Sequence, residues 1–291
     1  MNTDFNTWLP VSVFYRRAEY KKLIRDGIRP LLGSLGEKEL TGGYICSFSS
    51  VQGSNLRLNI LLHDREKETV LNELHRELSD FLIEYPSENE PAVYPLKGFL
   101  SPFPNNSIQY NLHDHPSPSP VELLRFRMGF SALLLDFFSL YDQDEETLVY
   151  FLFCSVLYLK EAMAGCYNLS EQDFLRVLRG NANIDMEKQN AWSHFFSENK
   201  QIMLETFYQD TQNREGSDAY MAAPGLKQCF HSVVQAKQKE GADAESVVAT
   251  LTGIILQHLD LPADAMPLIH HLFAECLQHK DQFGKQQRGN E

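Results

Sequence analysis

One alternating stretch of the chain places an arginine between two amides. In the predicted strand Ser54–Leu62, the side chains of Asn55, Arg57 and Asn59 share one face, because side chains alternate between the two faces of a strand. The leucines and isoleucine of the other face must pack on helices. A guanidinium donates in a fork and amides both donate and accept, so the polar face suits a carboxylate or a peptide backbone. The alternative is a solvated outer face of a two-layer sheet.

A second candidate lies in the last predicted helix, residues 264–279. One helical face carries four residues at suitable spacing: Met266, His270, Phe273 and Leu277. This places His270 on an apolar stripe and points His271 elsewhere. A half-buried imidazole can titrate near neutral pH and act as a general acid or base, whereas an ordinary core histidine would have its hydrogen bonds satisfied. We expect Arg57 and His270 to face one cleft that accepts an extended peptide.

Two histidines precede a run of prolines, in His113-Asp114-His115. Two imidazoles with an acid between them could hold zinc, but spacing supplies no third ligand, so we predict no metal site. Polar residues in loops before prolines also serve turns. Further along, Arg125 and Arg127 open a predicted helix on different faces, so at most one can point into a cleft.

Composition and charge narrow the class of protein. The chain has 291 residues, 43% hydrophobic and 22% charged, which is typical of a globular protein. Its net charge of −13 argues against a generic phosphate-backbone binder, so we predict no direct contact with nucleic acid. The sequence contains no GxGxxG, GxxxxGK[ST], GxSxG or HExxH motif, so we predict no cofactor.

The cellular compartment follows from the N-terminus, the apolar runs and the cysteines. The opening MNTDFNTWLP carries an acid and no apolar core, unlike a secretory signal. The longest charge-free apolar stretch, Thr147–Leu159, is shorter than the roughly 20 residues that span a bilayer, so we predict no membrane span. The five cysteines are scattered and odd in number, as in a reducing cytosol. We therefore expect a cytoplasmic protein.

The first part of the chain predicts an α+β fold. Alternating segments predict strands at 8–15, 43–51, 54–62 and 107–112, and helical periodicity predicts helices at 17–35 and 66–84. Pro30 should bend or end the first helix early. The order β-α-β-β-α-β is that of a ferredoxin-like split βαβ unit, with a mixed or antiparallel sheet.

A proline-rich segment divides the chain. Eight of the 13 prolines lie between Pro86 and Pro120, which predicts loop and extended chain, and Pro116–Pro120 is the best internal boundary. Beyond it the pattern is helical throughout, at 121–141, 144–164, 170–179, 186–209, 226–239, 244–259 and 264–279. We therefore predict an α+β half at 1–115 and a helical half at 116–291, packed as one continuous body.

Several motifs together resemble the lantibiotic dehydratase C-terminal family, whose free-standing members are called thiopeptide-type bacteriocin biosynthesis proteins. They are Asn6-Thr-Trp-Leu-Pro-Val-Ser-Val-Phe-Tyr15, a helix ending Ile28-Arg-Pro-Leu-Leu32, Gly53-Ser-Asn-Leu-Arg-Leu58 and the late Leu268-Ile-His-His271. The resemblance matches Arg57 to the first arginine of the family's His-Leu-Arg-Leu-Arg strand and His270 to its late helix histidine. It covers nearly the whole chain.

The chain also departs from the family pattern. Asn55 replaces the strand histidine and Asn59 the second arginine. Phe48-Ser49-Ser50-Val51 stands where the family has Arg-Tyr-x-Asp, and Ala274-Glu275 where it has Asn-Arg. The family's Glu-Arg-Tyr-Gly-Gly is missing, with Arg125 or Arg127 as candidate substitutes.

The resemblance implies modification of a ribosomally made precursor peptide. The first interpretation is a lyase that eliminates glutamate from glutamylated Ser or Thr to give dehydroamino acids, with Arg57 and His270 catalytic. Its peptide contacts would come from Asn55, Asn59, Arg125 and Arg127. A separate tRNA-dependent subunit would attach the glutamate, and a homodimer is left open. The alternatives are a pyridine synthase that joins two dehydroalanines in a [4+2] cycloaddition, and a non-catalytic peptide-binding partner of a dehydratase.

Overall fold

The chain divides into two compact units in the computed structural model, which describes residues 7–88, 103–116, 119–179, 186–208, 224–263 and 265–279. Unit 1 comprises Met1–Leu148 together with Gln257–Asp260, and unit 2 comprises Val149–Leu256 and Leu261–Glu291. Residues 89–102 of the predicted proline-rich loop, and two positions of the boundary at Pro116–Pro120, lie outside the described residues.

A four-stranded antiparallel sheet forms the centre of unit 1. Its strands are β1 (Thr7–Phe14), β2 (Thr41–Ser49), β3 (Asn55–Leu62) and β4 (Ser107–Tyr110), in the spatial order β2-β3-β1-β4. Each neighbouring pair is antiparallel. The turn between β2 and β3 has positive φ at Gln52 and Gly53, 62° and 112°. All four strands lie within about two residues of their predicted bounds.

Helices follow β1 and β3 and open the segment after residue 120. After β1 come a 3₁₀ turn at Arg17–Glu19, α1 (Tyr20–Lys22), a π-helical segment at Leu23–Ile28 and α2 (Arg29–Glu37); α3 (Lys67–Glu84) and α4 (Val121–Phe138) follow. The expectation that Pro30 ends the helix early is wrong. The helical backbone continues through Pro30 to Glu37, and the wider π turns directly precede the proline.

The apolar face of the sheet makes the core of unit 1. Along β3, Leu56, Leu58 and Ile60 are fully buried, and so are the β1 residues opposite them. The rings of Tyr20 and Phe138 both pack on Phe48 of β2, at centroid distances of 5.5 and 5.2 Å. The prediction that this face packs on helices is confirmed.

The outer edge of β2 is capped by side chains from two helices. The buried backbone N–H of Cys46 donates to Ser131 Oγ of α4 at 2.8 Å. Nδ1 of His258 donates to the carbonyl oxygen of Cys46 at 2.6 Å. His258 lies near the end of α9 (Ala244–Leu259), in the part of that helix that belongs to unit 1. An edge strand with unpaired backbone groups invites pairing with another chain, and these two contacts close it at this position.

The regular secondary structure that the described residues of unit 2 form is all helical. Apart from α9, its helices are α5 (Glu145–Tyr167), α6 (Glu171–Arg179), α7 (Met186–Tyr208), α8 (Pro224–Lys239) and α10 (Ala265–Gln278). The described residues after Pro120 contain no strand, as predicted. The Asp173 N–H donates to Ser170 Oγ at 3.1 Å, which caps the start of α6.

Helix α5 is long and apolar enough to cross a membrane by length and composition alone. Its 23 residues continue beyond the apolar stretch Thr147–Leu159 at both ends and include Lys160 and Glu161. Every side chain from Phe151 to Leu159 is buried. A helix that is apolar all round and surrounded by protein is a core helix.

Candidate functional site

The polar face of β3 is not a solvated surface. Asn55, Arg57 and Asn59 share the face as predicted, opposite the buried leucines. Asn55 is fully buried, Asn59 is 8% exposed, and Arg57 is half-buried. The alternative of a solvated outer face is therefore wrong for the two amides, because polar groups so deeply buried need hydrogen-bond partners.

Asn55 satisfies its own hydrogen bonds locally. Its Nδ2 donates to the carbonyl oxygens of Gly53, Val51 and Ser49, at 2.8, 3.1 and 3.3 Å, and so ties together the turn between β2 and β3. Its Oδ1 accepts a hydrogen bond from Nε of Arg57 at 3.3 Å. The structure thus gives Asn55, predicted to bind peptide, a turn-forming role that also steers the arginine.

Arg57 keeps most of its hydrogen-bonding capacity. Apart from Nε, its guanidinium donates no hydrogen bond to any residue that the structure describes. Burial lowers the pKa of Arg57, and the negative charge of Asp260 acts in the opposite direction. Arginine stays charged throughout the physiological range, so the result is a half-buried cation with a free fork. Such a group binds a carboxylate or a polarised carbonyl oxygen in two-pronged geometry.

A histidine that sequence reasoning considered only as a metal ligand joins this face. Nδ1 of His113 lies 3.1 Å from Oγ of Ser12, and Ser12 stands directly opposite Arg57 in the β1–β3 register. Burial, reinforced by the positive charge of Arg57, lowers the pKa of His113 to about 4. The imidazole is therefore neutral at physiological pH. No group of three or more His, Cys, Asp or Glu side chains in the described ranges could hold a metal ion.

Two polar atoms near this face are buried without a partner. Neither Nε2 of His113 nor Oδ1 of Asn59 makes a hydrogen bond within the described part of the chain. Asn59 was predicted from its place on the strand, whereas His113 was missed. Only the fold brings together residues 12 and 113, which are 101 positions apart. The one available signal was the short spacing between the predicted strand at 107–112 and His113.

The two arginines at the start of α4 differ in surroundings. Arg125 is exposed, whereas Arg127 is half-buried and donates from Nη2 to Oε1 of Gln257 at 3.2 Å. Burial lowers the pKa of Arg127, and its charge acts on His258. Arg127 therefore belongs to the group at the edge of β2. Neither arginine is in contact with Arg57 among the contacts described for unit 1.

His270, in unit 2, sits at the margin of the buried face of α10. The buried stripe of this helix is Ile269, Leu272, Phe273 and Cys276. Of the predicted stripe Met266, His270, Phe273 and Leu277, only Phe273 is fully buried, because helix packing selects a face about one residue earlier. Burial lowers the pKa of His270, and the charges of Arg179 and His271 add to the effect. The cleft expected to join His270 to Arg57 stays a prediction.

The neighbouring His271 is held by contacts within unit 2. Its Nε2 lies 3.1 Å from Ser193 Oγ of α7 and 3.8 Å from Glu275 Oε1. The serine and the glutamate thus face the same ring nitrogen. A hydrolytic triad needs them on opposite nitrogens, so this cluster does not form one.

Comparison with known proteins adds information on the fold. No family model and no curated protein matches the sequence. Among solved structures, the chain is similar to the pyridine synthase TbtD from thiomuracin biosynthesis, with a TM-score of 0.65 and 16% identity over 93% of this chain and 97% of that one. It is also similar to the tRNA-dependent lantibiotic dehydratase MibB from Microbispora sp. 107891, with a TM-score of 0.62 and 13% identity. That match covers 98% of this chain and 29% of MibB.

The chain has the fold shared by these two proteins. A third similar structure is TsrL, with a TM-score of 0.56 and 12% identity over 95% of both chains. The resemblance drawn from the sequence motifs is confirmed at the level of the fold. At these identities the likeness concerns architecture, and the chemistry must be argued from the side chains.

Proposed function

We propose that this chain modifies a ribosomally made precursor peptide by eliminating glutamate from glutamylated Ser or Thr. The observation that carries the proposal is the guanidinium fork of Arg57, which donates no hydrogen bond to any described residue and lies beside the neutral amides of Asn55 and Asn59 on β3. Elimination of an acyloxy group develops negative charge on the departing carboxylate and on the carbonyl next to the deprotonated carbon. A fixed, half-buried cation stabilises such charge better than a solvated one.

The reaction balances with no cofactor. A base removes the α-proton, the Cβ–O bond breaks, glutamate leaves as its carboxylate, and the electron pair forms the double bond of the dehydroamino acid. In this proposal Arg57 receives the developing anion. His270 takes the role of base or acid, as the resemblance to the dehydratase family implies. As the resemblance to the dehydratase family implies, a separate tRNA-dependent subunit is proposed to attach the glutamate.

The test is a mass assay on precursor peptide carrying O-glutamyl-serine. Wild-type protein should release glutamate and leave dehydroalanine. Arg57→Ala should lose about 10²–10³-fold in rate, as is typical when one donor to a developing anion is removed. Arg76→Ala is the matched control, because the side chain of Arg76 is exposed on α3 and this variant should retain full rate. Full turnover by Arg57→Ala would refute the role of Arg57.

A second candidate is a pyridine synthase, favoured by the end-to-end match of this chain with TbtD, 93% of one chain against 97% of the other. Cycloaddition depends chiefly on holding two dehydroalanines in a reactive arrangement, which neutral donors can do as well as arginines. A precursor containing two dehydroalanines, supplied to the same protein, separates the two reactions. Inactivity on both substrates, with measurable peptide binding, would leave the role of a non-catalytic partner.

We also infer that unit 1 contains a ferredoxin-like split βαβ arrangement. The inference is supported by the element order β-α-β-β-α-β and by the antiparallel strand order β2-β3-β1-β4. In such an arrangement both crossover helices cover one face of the sheet, the face opposite Arg57.

A further inference from the structure

The sheet topology brings Ser12, Arg57 and His113, which are distant in sequence, close to one another. Ser12 lies within β1, next to β3 and β4, and its side chain is fully buried. Across the register its neighbours are Arg57 on β3 and Gln109 on β4. His113 follows the end of β4 by three residues and returns to Ser12 through the contact between Nδ1 and Oγ. The serine is thus positioned to fix the imidazole beside the arginine.

The unpaired atoms near this place indicate a missing partner. Buried polar atoms in folded proteins are almost always hydrogen-bonded, and each exception calls for an explanation. Nε2 of His113 and Oδ1 of Asn59 are both buried and unpaired among the described residues. The free fork of Arg57 stands on the same strand face as Asn59, two residues away. A ligand carrying several polar atoms would satisfy all three groups.

The charges around Arg57 and His113 also restrict the chemical type of ligand that can bind there. Arg57 is a cation, and it repels a proton on His113, whose ring is already disfavoured from charging by burial. The other charged or titratable groups acting on His113 are Asp114 and His115, beside it in the chain. A neutral imidazole offers one donor and one acceptor nitrogen, and the contact of Nδ1 with Ser12 decides which of these Nε2 is.

We propose that His113 is a further substrate-contacting residue of the Arg57 site, with Ser12 as the positioning residue that fixes its ring and tautomer. Nε2 binds a polar atom of the glutamyl ester of the substrate, and Arg57 binds its carboxylate or carbonyl oxygen. Asn59 Oδ1 accepts from an N–H of the same substrate. The inference rests on the proposed elimination, and it adds a residue that neither the motifs nor the resemblance assigned.

The first experiment observes the imidazole directly. The full-length protein is labelled with ¹⁵N-histidine and titrated with L-glutamate, the product of elimination, and separately with glutarate, which lacks the ammonium group. The ring nitrogens of His113, assigned by comparison with His113→Gln, should shift with either probe, and the shift should be absent in Arg57→Ala. Resonances of the exposed His115 serve as the internal control.

The second experiment uses the elimination assay with O-glutamyl-seryl peptide. His113→Gln should lower kcat/KM by at least tenfold, whereas His115→Gln should not change it. Ser12→Ala should lower kcat/KM and alter the tautomer signal of His113, and Ser12→Thr, which restores the hydroxyl, should recover both. A purely structural role of Ser12 would lower the unfolding midpoint without changing the tautomer signal.

The outcomes separate this inference from the proposed function. If wild-type protein eliminates glutamate while the His113 resonances stay unmoved and His113→Gln matches wild type, the inference is wrong and the proposed function stands. If wild-type protein does not eliminate glutamate but the probes shift His113 in an Arg57-dependent way, the binding role of His113 stands and the proposed function fails. Absence of both effects overturns both.

Discussion

The two faces of β3 differ in kind: one packs apolar side chains into the core, and the other carries polar groups without hydrogen-bond partners in the described structure. On one face Leu56, Leu58 and Ile60 are fully buried and gain stability from packing. On the other face Arg57 keeps a free fork and Asn59 a buried unpaired oxygen within the described structure. Packing on the apolar face stabilises the fold, whereas the unpaired polar groups on the other face lower its stability. Such a cost is typical of binding sites, where polar groups await a partner.

The largest expected effect of a single substitution is on the apolar face. Leu58→Ala should lower the free energy of unfolding by about 3 kcal/mol, because it removes buried methyl groups and leaves a cavity in the middle of the sheet. Urea unfolding followed by circular dichroism measures the change. Leu140→Ala is the matched control, since Leu140 is 47% exposed and should lose far less. Equal losses of unfolding free energy in Leu58→Ala and Leu140→Ala would contradict the expected difference between a buried and an exposed leucine.

A somewhat smaller effect is the change in unfolding free energy with pH that His258 causes at the buried edge of β2. Burial, and then the charge of Arg127, lower the pKa of His258 to about 4, against 6.5 for a free imidazole. The folded state therefore needs the neutral ring, while the unfolded chain takes up a proton below pH 6.5. The stability contributed by the neutral ring is complete above pH 6.5 and is lost as the pH falls toward 4, by about 2 kcal/mol between pH 7 and pH 5.

Unfolding curves at pH 7 and pH 5 test this dependence. His258→Gln should remove that part of the difference between the two pH values. The exposed His194, changed to Gln, should leave the difference as in the wild type. His113, whose pKa burial also lowers to about 4, contributes a dependence of the same sign that His258→Gln leaves in place. If the difference in unfolding free energy between pH 7 and pH 5 is the same in His258→Gln as in the wild type, His258 is not the group responsible for it.

The next effect in size is at the hydrogen bond that caps β2. Ser131→Ala leaves the buried N–H of Cys46 without its acceptor, so the free energy of unfolding should fall by about 1–2 kcal/mol. Ser193→Ala, at an exposed position, should change it by less than about 0.5 kcal/mol. Amide hydrogen exchange of Cys46 should accelerate only in Ser131→Ala. Unchanged protection of that amide would show that Ser131 is not its cap.

The smallest expected change in stability comes from a substitution on the polar face of β3. Arg57→Met should leave the free energy of unfolding within about 0.5 kcal/mol of the wild type or raise it, because the half-buried guanidinium makes one long hydrogen bond, of 3.3 Å, in return for its desolvation. The same variant should lose elimination activity. A loss of stability comparable with that of Leu58→Ala would mean that Arg57 is structural.

The sequence predicted well the features that local patterns determine. Period-two and helical spacing placed the four strands and eight of the helices, α3 to α10, within a few residues. The alternation in β3 placed Asn55, Arg57 and Asn59 on one face. Each of these features depends on residues within a few positions of one another.

Features that depend on distant residues were missed. Nothing near His113 signals Ser12, and nothing near His258 signals Cys46, which is 212 positions away. Helical spacing cannot choose between two adjacent faces of α10 when both carry apolar residues, so the stripe was assigned one residue late. The burial of Asn55 follows from the carbonyl oxygens of the turn, which a pattern of side-chain types does not reveal.

The return of Gln257–Asp260 to unit 1 has a consequence for biosynthesis of the chain. The strand that His258 caps is complete once residue 49 has been made, yet its cap is made more than two hundred residues later. During that interval the Cys46 carbonyl lacks its histidine, and unit 1 cannot reach its final state. Slow translation or truncation before residue 258 would leave the open edge free to pair with other nascent chains.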